Sequence, residues 1–176
     1  MNKIILGIFV GLIAVIVFAV PVMAAPITKI EGVTAILDYT STVVYNVVDH
    51  GILQVREGVA TGTVTINIPG QAPLIGTLYG EFIGTMKLDG PPPGPWLNGE
   101  SMMVGHEIWT FTGEGTTGTF EGVRHEEIIG WPQPFISYFE SSMLLYGTGD
   151  FQGQTLKLSF EGAPPPIFEG CLLIPN

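Results

Sequence analysis

Two ionisable residues of opposite charge, Glu107 and Arg124, are the strongest candidates for chemistry in this sequence. They belong to two segments, 101–112 and 119–129, in which apolar and polar residues alternate, and a glycine-rich stretch separates the segments. This pattern is typical of a β-hairpin. If the hairpin is centred on 115–116, Glu107 faces Arg124 directly, and the two residues are expected to form an ion pair between neighbouring strands.

The expected ion pair falls on the apolar side of this hairpin. That side also carries large apolar residues, in the facing pairs Phe111 with Phe120, Trp109 with Gly122 and Met103 with Ile128. A buried ion pair is costly unless it is hydrogen-bonded. Its presence here therefore suggests an anchor for the polar group of an otherwise apolar ligand, the usual plan of a small-molecule pocket. The predicted ligand-binding residues are Glu107, Arg124, Trp109, Phe111, Phe120 and Met103.

Two other interpretations of the pair stay open. Glu107 could be an acid or base whose pKa is perturbed by its surroundings, as at many active sites. Alternatively, the pair could be a cross-strand salt bridge at the margin of the sheet, with no ligand.

Two histidines lie on the opposite face of the same hairpin, where His106 faces His125 in the expected register. Adjacent strand residues point to opposite faces, so Glu127 is the one further side chain of the hairpin that could join them. Zinc needs a third or fourth protein ligand. We therefore expect solvated histidines, no metal site and no cofactor. The sequence also has no Gly-x-Ser-x-Gly elbow, which would mark a hydrolase nucleophile.

The elements that must position these residues are strands. After residue 26 no segment has apolar residues at helical spacing over three turns, whereas period-two segments bounded by Gly, Pro or Asp recur. The predicted strands are 32–48, 52–57, 61–68, 74–88, 101–112, 119–129, 135–146, 151–160 and 167–174. We therefore predict an all-β domain, an antiparallel β-barrel of eight to nine strands, with a β-sandwich as the alternative.

Three glycine-rich segments, 76–85, 113–122 and 147–153, each place glycines around an aromatic residue at strand spacing. Glycine within a strand marks a bulge or a sharp bend, which favours a curved, closed sheet. The segment 147–153, GTGDFQG, together with the hairpin at 113–122, resembles the hairpins of the allene oxide cyclase and dirigent-like barrel group. The resemblance implies a barrel that holds a hydrophobic small molecule in its lumen, and it assigns no catalytic residue.

The N-terminal segment is typical of a secretory signal. It has one lysine, an apolar run at 4–20 and small or modest residues before a cleavage site after Ala24. The predicted organisation is a signal helix at 1–24 followed by one domain at 25–176, secreted or otherwise outside the cytoplasm. An uncleaved segment would anchor the protein to a membrane, which is the one membrane contact that we expect.

The charge of the chain limits its partners. Six Lys and Arg stand against 16 Asp and Glu, and the basic residues are scattered along the chain. A nucleic-acid partner needs a basic stripe and is not expected.

Three function classes fit these observations. The first is a small-molecule-binding barrel, which predicts an enclosed cavity of roughly several hundred Å³ that touches Trp109 and Arg124. The second is a structural or assembly protein of the cell exterior, because the apolar C-terminal strand at 168–174 could add to the sheet edge of a second copy. The third is a cyclase or isomerase with Glu107 as its base.

Overall fold

The computed structural model describes residues 26–49, 53–86, 88–89, 96–97, 101–113, 115–128, 139–162 and 166–176. The predicted signal helix at 1–24 lies outside these residues. Positions 52, 87, 129 and 135–138, which belong to four of the predicted strands, also lie outside them. The described part of the chain contains no helix that is long and apolar enough to span a membrane.

The described chain consists of strands joined by turns, which confirms the predicted all-β architecture. The strands are β1 Ile27–Asp49, β2 Leu53–Asn67, β3 Leu74–Met86, β4 Leu88–Asp89, β5 Trp96–Leu97, β6 Ser101–Gly113, β7 Thr116–Ile128, β8 Phe139–Gly149, β9 Thr155–Gly162 and β10 Ile167–Pro175. Eight of them form a closed antiparallel ring in the order β1-β10-β9-β8-β7-β6-β3-β2, and β4 pairs with β5 separately. Each strand of the ring therefore pairs with the next ring strand along the chain.

One strand replaces two predicted ones. The segments 52–57 and 61–68 were expected to be separate, but β2 runs through both and pairs with β1 and β3 along its length. Its register with β3 shifts between Val55 and Gly58. The glycine thus accompanies a bulge, which bends a strand without ending it.

The ring closes between the first and the last strand. β1 pairs with β10 from Ile27 opposite Pro175 to Ile36 opposite Ile167. Just beyond this ladder the Asn176 amide donates to the Pro26 carbonyl at 2.9 Å. The other side of β10 is hydrogen-bonded to β9. Addition of the C-terminal strand to a second copy would therefore require one of these two ladders to open.

The expected register of the β6–β7 hairpin is wrong by two residues. Trp109 lies opposite Phe120, and Arg124 lies opposite Gly105 instead of Glu107. The ladder continues to Gly113 opposite Thr116, with Gly115 in the left-handed region at a φ of 82°. The hairpin is therefore centred between positions 114 and 115, one residue closer to β6 than expected. Because side chains alternate with a period of two, a shift of two residues leaves every side chain on its predicted face.

One half of the ring interior is filled by side chains, and we call it the packed half. Its core is formed by Val33, Ala35, Leu37, Val64, Ile66, Ile68, Leu78, Trp109, Phe111, Phe120, Met143, Leu145, Phe151, Leu156, Leu158, Phe168 and Leu172. The rings of Phe120 and Phe151 stack with centroids 4.7 Å apart, and Phe111 meets both rings edge-on. Contacts of this kind add to the stabilisation from apolar burial.

A glycine on the inner face of β7 allows its neighbour β8 to come close. A Cβ atom added to Gly122 would overlap the carbonyl oxygen of Leu144. This close approach agrees with the predicted role of strand glycines in a curved sheet.

Candidate functional site

The six predicted ligand-binding residues all face the interior of the ring, but they divide between its two halves. Trp109, Phe111 and Phe120 are fully buried in the packed half. Met103, Glu107 and Arg124 line a cavity in the other half, which we call the open half. The structure therefore separates three core residues from three residues that a ligand could contact.

The cavity of the open half has a volume of about 190 Å³. Its wall is formed by Tyr39, Thr42, Ala60, Gly80, Glu81, Phe82, Met103, Gly105, Glu107, Arg124 and Glu126. The prediction of a cavity of several hundred Å³ that touches Trp109 is wrong in two respects, because the cavity is smaller and Trp109 does not line it. Large side chains occupy the packed half, and Trp109 lies among them. The space that remains exists because Ala60, Gly80 and Gly105 bring almost no side chain into the interior.

The wall of the cavity contains the predicted ion pair. Although Glu107 and Arg124 are not directly opposite, Arg124 Nη1 lies 3.0 Å from Glu107 Oε1. The side chain of Glu107 is only 5% exposed, and that of Arg124 is 15% exposed. The other carboxylate oxygen of Glu107 accepts a hydrogen bond from the Trp109 indole N–H at 2.8 Å. The pair is thus buried and hydrogen-bonded, which is the condition for tolerating charge in a protein interior.

Three further residues complete the polar cluster around Arg124. Glu126 forms a second ion pair with Nη2, and its side chain is 9% exposed. The Tyr39 hydroxyl accepts from Nη1 and donates to Glu107 Oε1 at 3.3 Å. The Ser141 hydroxyl accepts from Nε at 3.1 Å and donates to the His125 carbonyl.

Sequence reasoning missed these three residues for different reasons. Glu126 lies two positions after Arg124 on the same strand, so the period-two pattern could have found it. Ser141 lies opposite Glu126 on β8, which requires the register of a second hairpin. Tyr39 belongs to β1, which is not adjacent to β7, and no local signal connects them.

The cluster keeps Arg124 charged and Tyr39 protonated. Burial by itself lowers the pKa of Arg124, but the oxygen atoms of Tyr39, Glu126 and Glu107 outweigh it and raise the pKa above its ordinary value. Burial also raises the pKa of Tyr39, and this effect exceeds the opposing influence of Arg124. Tyr39 therefore retains a proton to donate to Glu107.

The two histidines lie on the outer face, but they do not face each other. His106 is opposite Val123, and His125 is opposite Val104. The expected His106–His125 pairing is thus wrong, for the same two-residue shift. His106 Nε2 lies 3.1 Å from a Glu121 carboxylate oxygen instead. Within the described residues no group of three or more His, Cys, Asp or Glu side chains could hold a metal ion.

Comparison of the chain with protein-family models, with curated proteins and with solved structures found no match. The resemblance to the allene oxide cyclase and dirigent-like group therefore stays a prediction. The candidate site rests on its own geometry, a half-open cavity with mostly apolar walls and a buried, hydrogen-bonded ion pair.

Proposed function

We propose that this protein is an exported β-barrel domain that binds a small, mostly apolar molecule in the open half of its lumen. The observation that carries the proposal is the cavity of about 190 Å³ with the ion pair of Glu107 and Arg124 in its wall. Small-molecule sites combine apolar walls with a few fixed polar groups in this way.

The size of the cavity limits the ligand. A dry cavity of roughly 150 Å³ in another protein accepts benzene, so this space fits a body of one ring or a short branched chain. Phe82 and Met103 supply apolar contacts, and Ala60 leaves the room that the ligand would fill. Because the cavity is open on one side, a longer molecule could extend from it into solvent.

Benzyl alcohol is a suitable neutral probe because it combines one ring with one hydroxyl. We expect it to shift the amide resonances of cavity-lining residues and to raise the thermal unfolding temperature. Ala60→Leu would occupy the cavity and abolish both effects. Val59→Leu is the control, since it places the same leucine side chain at the neighbouring position of the same strand, outside the cavity. Equal binding to the wild type and Ala60→Leu, or no binding to the wild type, would contradict the proposal.

A second candidate is an assembly protein, and one observation favours it. The outer faces of β3 and β6 expose Ile83, Met102 and Val104, of which Ile83 and Met102 are 58% and 59% exposed. Exposed apolar patches on soluble proteins often mark interaction sites. Sedimentation measured at increasing protein concentration would show oligomers if this face mediates self-association, and Ile83→Glu would dissociate them.

The enzyme hypothesis receives weaker support from the same geometry. Glu107 accepts hydrogen bonds on both carboxylate oxygens, from Tyr39 and Arg124 on one and from Trp109 on the other. A general base must reach the proton that it removes. A carboxylate held in this way is better suited to positioning its neighbours than to taking a proton.

A further inference from the structure

The hydrogen-bonding groups of the cavity wall decide which chemical class of ligand fits it. This inference rests on the proposed function, namely that the open half binds a small molecule at all. A ligand can bind only to the hydrogen-bond donors and acceptors that the polar cluster has not already used.

The donors of the buried polar cluster are almost all used. A guanidinium has five N–H groups, and Arg124 directs four hydrogen bonds to Ser141, Tyr39, Glu107 and Glu126. The Tyr39 hydroxyl uses its single proton on Glu107. The Trp109 indole N–H is also committed to Glu107. One Arg124 N–H and the neutral Thr42 hydroxyl remain in the described wall. A carboxylate or phosphate is bound tightly by paired donors of a charged group, so this site is poorly equipped to bind one.

Negative charge and acceptor capacity are in excess instead. The inward-facing charged groups of the cavity wall are the carboxylates of Glu107 and Glu126 and a single guanidinium, that of Arg124. A carboxylate offers about four lone-pair positions. Within the described cluster Glu126 accepts a single hydrogen bond, from Arg124, so most of its acceptor positions are unused. Glu81 also borders the cavity, but it lies opposite His106 on the outer face, where its carboxylate accepts from the Tyr79 hydroxyl at 2.7 Å. The buried part of the cluster, Arg124 with Glu107 and Glu126, thus has one more negative than positive charge.

We propose that the natural ligand carries a protonated amine, which sits beside Glu126 while its apolar body lies against Phe82 and Met103. An ammonium group supplies donors to a site that has surplus acceptors, and it balances the excess negative charge of a poorly solvated cluster. The aromatic ring of Phe82 can also attract a cation. An anionic analogue would meet two carboxylates against one guanidinium and is rejected.

Three probes with the same ring separate this inference from the proposed function. Benzylamine is protonated at neutral pH, benzyl alcohol is neutral, and benzoate is an anion. We expect benzylamine to bind about tenfold more tightly than benzyl alcohol, the equivalent of one charge-assisted hydrogen bond, and benzoate not to bind. Titration followed by the indole N–H resonance of Trp109 reports binding, because that group donates directly to Glu107.

A neutralising variant and its matched control locate the effect. Glu126→Gln keeps the shape of the side chain and its acceptor for Arg124, so benzylamine should lose about tenfold in affinity and benzyl alcohol should lose none. Glu127→Gln makes the same charge change one residue along β7, outside the cavity wall, and should leave both affinities unchanged. If Glu126→Gln does not fold, the order of the three probes on the wild-type protein decides the question.

Each outcome has one meaning. Equal binding of benzylamine and benzyl alcohol, or tighter binding of benzoate, overturns the amine proposal and leaves the small-molecule site intact. A loss of benzylamine affinity that is as large in Glu127→Gln as in Glu126→Gln also overturns it, since the acidic surface would then be the cause. Failure of all three probes contradicts the proposed function itself.

Discussion

The two halves of the ring interior are built on the same strands but are filled differently. On β6, Trp109 and Phe111 lie in the packed half, whereas Met103, Gly105 and Glu107 face the open half. β7 changes in the same way, from Phe120 to Arg124. Large aromatic side chains leave no space in one half, while glycine and alanine leave a cavity in the other. The comparison shows that one hairpin supplies both the stable core and the candidate site.

The polar cluster lies at the boundary between the two halves. Glu107 receives a hydrogen bond from Trp109, which belongs to the core, and forms an ion pair with Arg124, which lines the cavity. Arg124 in turn lies 5.4 Å from the ring centre of Phe168 in the core. The packed half therefore helps to orient the charged groups that a ligand would meet, a form of preorganisation that lowers the cost of binding.

The largest expected effect comes from removing an aromatic ring from the packed half. Phe120→Ala should lower the free energy of unfolding by about 4 kcal/mol, because it leaves a cavity that the surrounding core cannot fill. Phe82→Ala makes the same change in the open half, where the ring is only half-buried, and should cost less than about 2 kcal/mol. Urea denaturation measures both values. Equal losses would show that the two halves are packed alike.

A somewhat smaller effect is expected at the boundary. Arg124→Met leaves Glu107 and Glu126 buried without their cation and should lower the free energy of unfolding by about 3 kcal/mol. This value is at the low end for a broken buried ion pair because the cavity is open to water. Adding Glu107→Gln and Glu126→Gln to this variant should recover much of that loss. The recovery would attribute the cost to unpaired charge. Its absence would attribute the cost to lost packing of the arginine side chain.

The smallest expected effect is a pH dependence that involves Tyr39. Since its pKa is raised in the folded protein, its contribution to stability is complete below the unfolded pKa of about 10 and falls as the pH rises above that value. Between about pH 9 and about pH 11 the free energy of unfolding should fall by about 1 kcal/mol more in the wild type than in Tyr39→Phe. This difference is below the ceiling of about 1.4 kcal/mol per pH unit for one group. Tyr146→Phe, on the exposed outer face of β8, controls for the removal of a hydroxyl. Parallel pH profiles for wild type and Tyr39→Phe would contradict the assignment.

The sequence by itself determined the class of fold and the inward face of the central hairpin. Alternation with a period of two identifies strands and tells which side chains share a face, and this information is local. It placed Glu107 and Arg124 together on the apolar side even though the expected register was wrong, because a shift of two residues preserves the face. The strand glycines similarly indicated a curved sheet, as the close approach of β8 to Gly122 illustrates.

Only the tertiary structure decided the register, the closure of the ring and the composition of the site. The register depends on a tight turn in which Gly115 adopts a positive φ, and several turns were compatible with the same alternation. Tyr39 reaches Arg124 because β1 pairs with β10 and closes the ring, a contact between segments far apart in the chain. The cavity exists because small residues on β2, β3 and β6 meet at one level of the interior. Such coincidences are properties of the assembled ring, and no single strand encodes them.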